Sequence, residues 1–149
     1  MVRGPLSLKG RALRLLSARE HSRAELERKL ARHEEEPGQL RRVLDELQAK
    51  DFINEQRVVE SVLHRRAPRL GAARVRQELQ AKGLAPQAVA EAVACLQSTE
   101  LQRAREVWRR KFDAIPTDAA QRAKQARFLA ARGFGGEVIR RVLNTPSDD

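Results

Sequence analysis

The side chains best equipped for chemistry in this 149-residue chain are its arginines. Arg65, Arg66, Arg69, Arg74 and Arg76 form the densest cationic stretch, with no acid among them. Arg109, Arg110 and Lys111 make a second group, preceded by Arg103 and Arg105, and Arg132, Arg140 and Arg141 surround the last turn. A guanidinium presents a planar fork of donors that suits paired phosphate or carboxylate oxygens. Charge density alone therefore nominates Arg65, Arg66, Arg69, Arg74, Arg76, Arg109, Arg110, Arg132, Arg140 and Arg141 as binding residues. The whole chain agrees in sign: 30 Lys and Arg against 20 Asp and Glu give a net charge of +10. Such an excess favours a polyanionic partner, most simply nucleic acid or a nucleoprotein.

Bond-making chemistry finds no foothold. His21, His33 and His64 lie far apart and have no metal-type spacing with Cys95. Gly133-Phe134-Gly135-Gly136 lacks the Lys-Ser/Thr of a phosphate loop and reads better as a helix stop followed by a start. Glu34-Glu35-Glu36 reads as a solvated turn. No nucleophile–base pair is visible, so no catalytic residue, cofactor or metal is expected. Aromatic residues are 3% with no Tyr, too few for a platform that stacks single-stranded bases. The lone Cys95 cannot form an internal disulfide and is expected to be a small, partly buried thiol beside Val93 and Leu96. Neither a signal-peptide run nor an apolar stretch of roughly 20 residues occurs. The expectation is a cytoplasmic monomer without a membrane partner.

Helices must position these arginines, because no segment alternates with the period of a strand. Apolar spacing predicts helices over Leu6–Ala18, from Ser22 to the break at His33–Gly38, and over Gln39–Lys50, Glu55–Arg66, Thr99–Phe112, Ala119–Arg132 and Glu137–Leu143. Two more lie on either side of the Lys82–Pro86 break. Ser22-Arg23-Ala24-Glu25 is a capping box, with Glu25 also placed to pair with Lys29. Asn54 and Asp118 are further caps.

The chain also repeats. Leu26, Leu30, Leu40, Leu44 and Leu47 lie 49 residues before Val75, Leu79, Val89, Val93 and Leu96. Leu129, Gly133, Phe134, Ile139 and Leu143 lie 50 after Leu79, Gly83, Leu84, Val89 and Val93, with a poor fit at Gln125. A period near 50 marks an array of small units. The fold class is thus all-α, with three tandem three-helix repeats of helix-turn-helix character over residues 1–50, 51–97 and 98–149. Each unit is too small to bury much alone, so the repeats should lean on one another in an elongated, curved array. Helix pairs with positive charge also suggest DNA readers, but Asp45, Glu46 and Glu91 sit on the candidate recognition helices and speak against major-groove reading.

A family resemblance follows from the ordered matches. Ala12-Leu13…Leu16-Ser17-Ala18-Arg19-Glu20-His21-Ser22…Glu25-Leu26…Lys29-Leu30 is joined by Phe52-Ile53-Asn54-Glu55…Arg57, Gly71…Val75…Glu78-Leu79…Lys82-Gly83-Leu84 and Phe128-Leu129…Arg132-Gly133-Phe134…Ile139…Val142-Leu143. Together these resemble the bacterial RecX regulatory proteins across nearly the whole chain. Val58 and Val59 replace aromatics usual there, and Glu34-Glu35-Glu36 replaces a basic-Gly pair. The resemblance implies an all-α protein of three repeats that lies in the groove of the RecA filament and restrains ATP hydrolysis, strand exchange and repressor cleavage. It adds no residue set to the arginines chosen by charge. The alternative is a sequence-nonspecific DNA-binding protein that acts without RecA.

Overall fold

The computed structural model describes residues 6–144 and contains only helices among them. They are α1 (Leu8–Ala18), α2 (Arg23–Leu30), α3 (Gln39–Ala49), α4 (Glu55–Arg66), α5 (Ala72–Ala81), α6 (Pro86–Gln97), α7 (Glu100–Lys111), α8 (Ala119–Ala131) and α9 (Gly136–Asn144). The predicted boundaries hold to within one or two residues, most of them because a start or stop has a local cause. Ser22 Oγ accepts from Glu25 N–H while Glu25 accepts from Ser22 N–H, closing the capping box. Asn54 and Asp118 cap α4 and α8 by accepting the N–H of Arg57 and Gln121, and Pro86 opens α6 where no N–H is needed. Gly83 and Gly133 end α5 and α8 with φ of 71° and 92°, a left-handed turn that side chains resist.

Three separate apolar clusters lie inside the three helical triplets. Leu26, Leu30, Leu40, Leu44 and Leu47 centre the first, Val75, Leu79, Val89, Val93 and Leu96 the second, and Leu129, Phe134, Ile139 and Leu143 the third. Every apolar position aligned by the repeat is buried. Val58 and Val59 are buried in the second cluster, so the missing aromatics are replaced by aliphatic packing. Gln125, which fits the pattern poorly, is also buried because its amide serves a polar contact. Its Oε1 accepts the Trp108 Nε1–H at 2.8 Å, and its Nε2 donates to Ala114 O.

The repeats do lean on one another, but through polar and backbone contacts at helix ends. Ser22, at the start of α2, donates its hydroxyl to Lys82 O at the end of α5 (2.5 Å). One repeat later, Gly71 N–H donates to Arg132 O (2.8 Å) and Ala73 N–H to Gly133 O (3.3 Å). Arg28 donates to Ala81 O across the first joint, as Arg74 does to Ala131 O across the second. Every such bond joins sequential neighbours; none links the first repeat to the third among the described residues. Arg57 adds a tie at the first joint by holding Glu20 (2.9 Å) and Asp51 (2.8 Å).

Close approach explains three glycines. A Cβ on Gly71 would collide with the Gly133 carbonyl, one on Gly133 with Arg74, and one on Gly83 with the Ala24 methyl. Since Gly71 has no side chain to cap α5, Glu100 of the next repeat accepts from Ala72 N–H instead (3.2 Å).

Two local expectations fail. Glu25 does not pair with Lys29; it turns into the first joint, where Arg19 Nη2 (2.7 Å) and Lys82 Nζ (3.4 Å) reach it. Lys29 instead meets the Nε2 of buried His21 at 3.1 Å. Cys95 is exposed rather than partly buried, because residue 95 falls between Val93 and Leu96 on the outer face of α6. Glu34 also does more than sit in a solvated turn, accepting Leu40 N–H (2.9 Å) at the start of α3.

Burial alone would raise the Glu25 pKa, but hydrogen bonds from Arg19 and Ser22 N–H and the Lys82 charge outweigh it and hold it at about 2. Burial lowers the His21 pKa; the hydrogen bond with Arg19 O opposes this, and the Arg19 and Lys29 charges add to the lowering. The unfolded chain therefore binds more protons than the folded one on the acid side, and stability falls with falling pH. The His21 contribution is lost as pH drops below the ordinary imidazole range near 6.5. The Glu25 contribution, on the order of 2–3 kcal/mol, is lost between pH 4.5 and about 2. Urea midpoints followed by helicity should fall in these two stages, and Glu25→Gln should reduce the lower one, leaving the share of Glu46, which hydrogen bonds from Lys9 and Lys50 also hold at about 2.

Gly133→Ala and Gly71→Ala should each cost about 2 kcal/mol or more. Gly135→Ala, with open space around it, should shift the urea midpoint little.

Candidate nucleic-acid and filament interface

Three of the ten arginines converge. Arg69, from the segment after α4, faces Arg110 of α7 and Arg132 at the end of α8 across a cleft of about 390 Å³. Lys111, Val107 and Phe128 complete its lining, which contains no carboxylate. None of the four cations takes part in an ion pair among the described residues. The cleft therefore spans the second joint, with one wall from each repeat.

Its shape is held from behind. Arg103 donates to Ala67 O (2.8 Å), Leu70 O (2.6 Å) and Leu96 O (2.9 Å), tying both ends of the Arg69 segment to α7. Desolvation lowers the Arg103 pKa, the mark of a guanidinium drawn into the fold. This arginine, grouped with the basic stretches by sequence, is thus a positioning residue. On the opposite wall, Arg132 is fixed at its backbone by Gly71 N–H. Its guanidinium lies 4.7 Å from the Phe128 ring centre, and Phe128 is braced edge-on by Phe112 at 5.3 Å. A guanidinium stacked on an aromatic face keeps its donor edge free for oxygen ligands. Four cations around a space of this size can hold a phosphate or a pair of carboxylates.

The other seven arginines are placed differently. Arg66 and Arg74 share a neighbouring groove with Glu78. Arg66 pairs with Glu78 at 3.2 Å, and Arg74 is committed to Ala131 O. The stretch free of acids in sequence is therefore not free of them in space. Arg140 is gripped by both Glu137 oxygens (2.6 and 3.2 Å). Arg65, Arg76, Arg109 and Arg141 are exposed and line neither cleft.

A larger basic cleft was not anticipated from the sequence. Arg11 and Arg14 of α1 face Arg28 and Lys29 at the end of α2 and Arg32 in the 3-10 turn that follows it. The i,i+3 and i,i+4 spacings within each set are legible, but their facing one another depends on how α1 packs on α2. The acids on α3 that argued against groove reading are themselves occupied: Asp45 pairs with Arg23 (2.7 Å), and Glu46 with Lys9 (2.7 Å) and Lys50 (2.9 Å). Glu91 is exposed and accepts only from Gln87 on its own helix. Among the described residues, no three His, Cys, Asp or Glu side chains converge as a metal ligand set, and no helix is long and apolar enough to cross a membrane.

Three tandem three-helix units joined end to end, with cationic clefts at and beside the joints, define an all-helical repeat protein. Comparison with known proteins gives the same division: models of the first, second and third three-helix domains of RecX match residues 9–47, 54–93 and 98–143. The Regulatory protein RecX of Leptothrix cholodnii is 56% identical over 141 residues, covering 95% of this chain and 90% of that protein. That of Ralstonia nicotianae is 50% identical over 143 residues, covering 96% and 90%. The crystal structure of RecX from Lactobacillus salivarius superposes with a TM-score of 0.75 at 19% identity, covering 91% of each chain, and shares the fold. The chain belongs to the RecX family.

Removing the cleft cations should weaken polyanion affinity more than removing a paired arginine. In salt elution from a heparin column, Arg69→Ala/Arg110→Ala should elute clearly earlier than the parent, whereas Arg140→Ala should move little. Equal shifts for the two would reject the distinction.

Proposed function

We propose that this protein binds the RecA nucleoprotein filament and restrains it, slowing ATP hydrolysis, strand exchange and coprotease activity. Membership of the RecX family along the whole chain carries this reading. The geometry supports it physically. A filament of protein and DNA offers closely spaced carboxylates and phosphates, and the cleft of Arg69, Arg110, Lys111 and Arg132 offers unpaired donors for either. Tandem repeats spanning neighbouring protomers would add weak contacts into one strong attachment. Uncompensated positive charge would speed encounter and make binding salt-sensitive. The protein works as a cytoplasmic monomer with direct contact to the filament's nucleic acid. Binding to DNA without RecA is the second reading, favoured by the same unpaired cations.

The deciding measurement is DNA-dependent ATP hydrolysis by preformed RecA filaments, titrated with this protein at moderate salt beside a free-DNA binding control. Inhibition well below one molecule per RecA protomer, where free DNA stays unbound, is expected. Arg69→Ala/Arg110→Ala/Arg132→Ala should raise the half-inhibitory concentration by about tenfold with helicity intact. Inhibition only at concentrations that coat the DNA would favour the second reading.

A further inference from the structure

The cleft of the first repeat, about 720 Å³, differs in chemistry from the one at the second joint. Its five cations, Arg11, Arg14, Arg28, Lys29 and Arg32, face no carboxylate in the lining and enter no ion pair among the described residues. Three of them have neutral hydrogen-bond partners: Arg28 meets Ala81 O, Lys29 meets His21, and Arg32 meets His33. His33 senses the field, since desolvation and then the Arg11 and Arg32 charges lower its pKa. The lining is also apolar. Leu30 is buried, Leu15 half-buried, and Leu6 stands 46% exposed.

These two features select the occupant. A phosphodiester strand would satisfy the cations but leave Leu6 and Leu15 uncovered, and the lining has no Phe, Tyr or Trp to stack a base. The preceding residues Met1–Pro5 carry Arg3 and no acid, so they mismatch the cleft in charge. A peptide that flanks an apolar side chain with carboxylates matches both the cations and the leucines. We propose that this cleft docks an acidic segment of a partner protein, its carboxylates held by the Arg11–Arg14 and Arg28–Arg32 walls and one apolar side chain seated against Leu6 and Leu15. This site is independent of the cleft at the second joint and does not rest on the function proposed above.

The probe is a fluorescein-labelled decapeptide of Glu and Asp around a central Leu-Phe pair, followed by anisotropy at moderate salt. Saturable binding is expected, weakened about tenfold or more by Arg11→Glu/Arg32→Glu and about fivefold when the Leu-Phe pair becomes Gly-Gly. Arg110→Ala/Lys111→Ala should leave it within about twofold. If the charge-reversed protein loses helicity, Arg14→Gln/Arg32→Gln supplies the same comparison, with a loss of about threefold or more expected. Absent saturation, indifference to the cleft substitutions, or equal binding of the Gly-Gly peptide would overturn the proposal. So would a deoxythymidine decamer that displaces the peptide at lower concentration, which would assign the cleft to nucleic acid.

Discussion

The start of the second helix of one repeat rests on the glycine turn that ends the second helix of the next, and the remaining architecture depends on that seat. It recurs at both joints: Ser22 and Arg28 meet Lys82 and Ala81, while Gly71 and Arg74 meet Arg132 and Ala131. The bonds run to main-chain carbonyls, so the relative placement of repeats is set by the backbone rather than by interlocking apolar side chains. Each repeat retains its own core, and the joint supplies direction. The choice of residues follows from this geometry. Ser22 can cap its helix and reach across the first joint at once, whereas the closer approach at the second leaves room only for Gly71. The cap then has to come from another repeat, through Glu100.

The arginines divide by what surrounds them. Arg57, Arg74 and Arg103 spend their donors on carboxylates and carbonyls at the joints, where they hold the chain together. Arg69, Arg110 and Arg132 are left without acidic partners in a cleft whose walls those same joints position. The unpaired cationic cleft is thus a by-product of assembly. Two repeats that each bury their apolar faces leave their cationic edges opposed across the seam.

Local order was largely legible in the sequence, whereas convergence was not. The 49- and 50-residue offsets identify buried positions because a helix must turn the same face inward each time it recurs. Ser22, Asn54 and Asp118 identify helix starts because their side chains act on residues three positions away. Gln125 looked like a flaw in the repeat only because its partner, the Trp108 N–H, arrives from another helix. The same blindness to neighbours hid the Glu100 and Glu34 caps and made Arg103 resemble a surface charge. It also hid the opposition of Arg11 and Arg14 to Arg28 and Arg32. Glu25 shows the limit well: its spacing to Lys29 suits a helical pair, yet a buried carboxylate is better served by Arg19 and Lys82 from outside its helix. Density of charge along the chain found three residues of the cleft but could not separate them from Arg66 and Arg140, whose acids lie close in space.

The contact between Ala24 and Gly83 has a consequence for how such a chain can change over generations. With a methyl on one side and no Cβ on the other, the two positions share a single small volume. Enlarging residue 24 presses on a turn that has nothing left to surrender, while enlarging residue 83 meets both the methyl and an unfavourable φ. Drift at either site is therefore constrained by the other, although the two belong to different repeats. Tolerated substitutions there should come as correlated pairs, and their absence would be inherited as a signature of the joint itself.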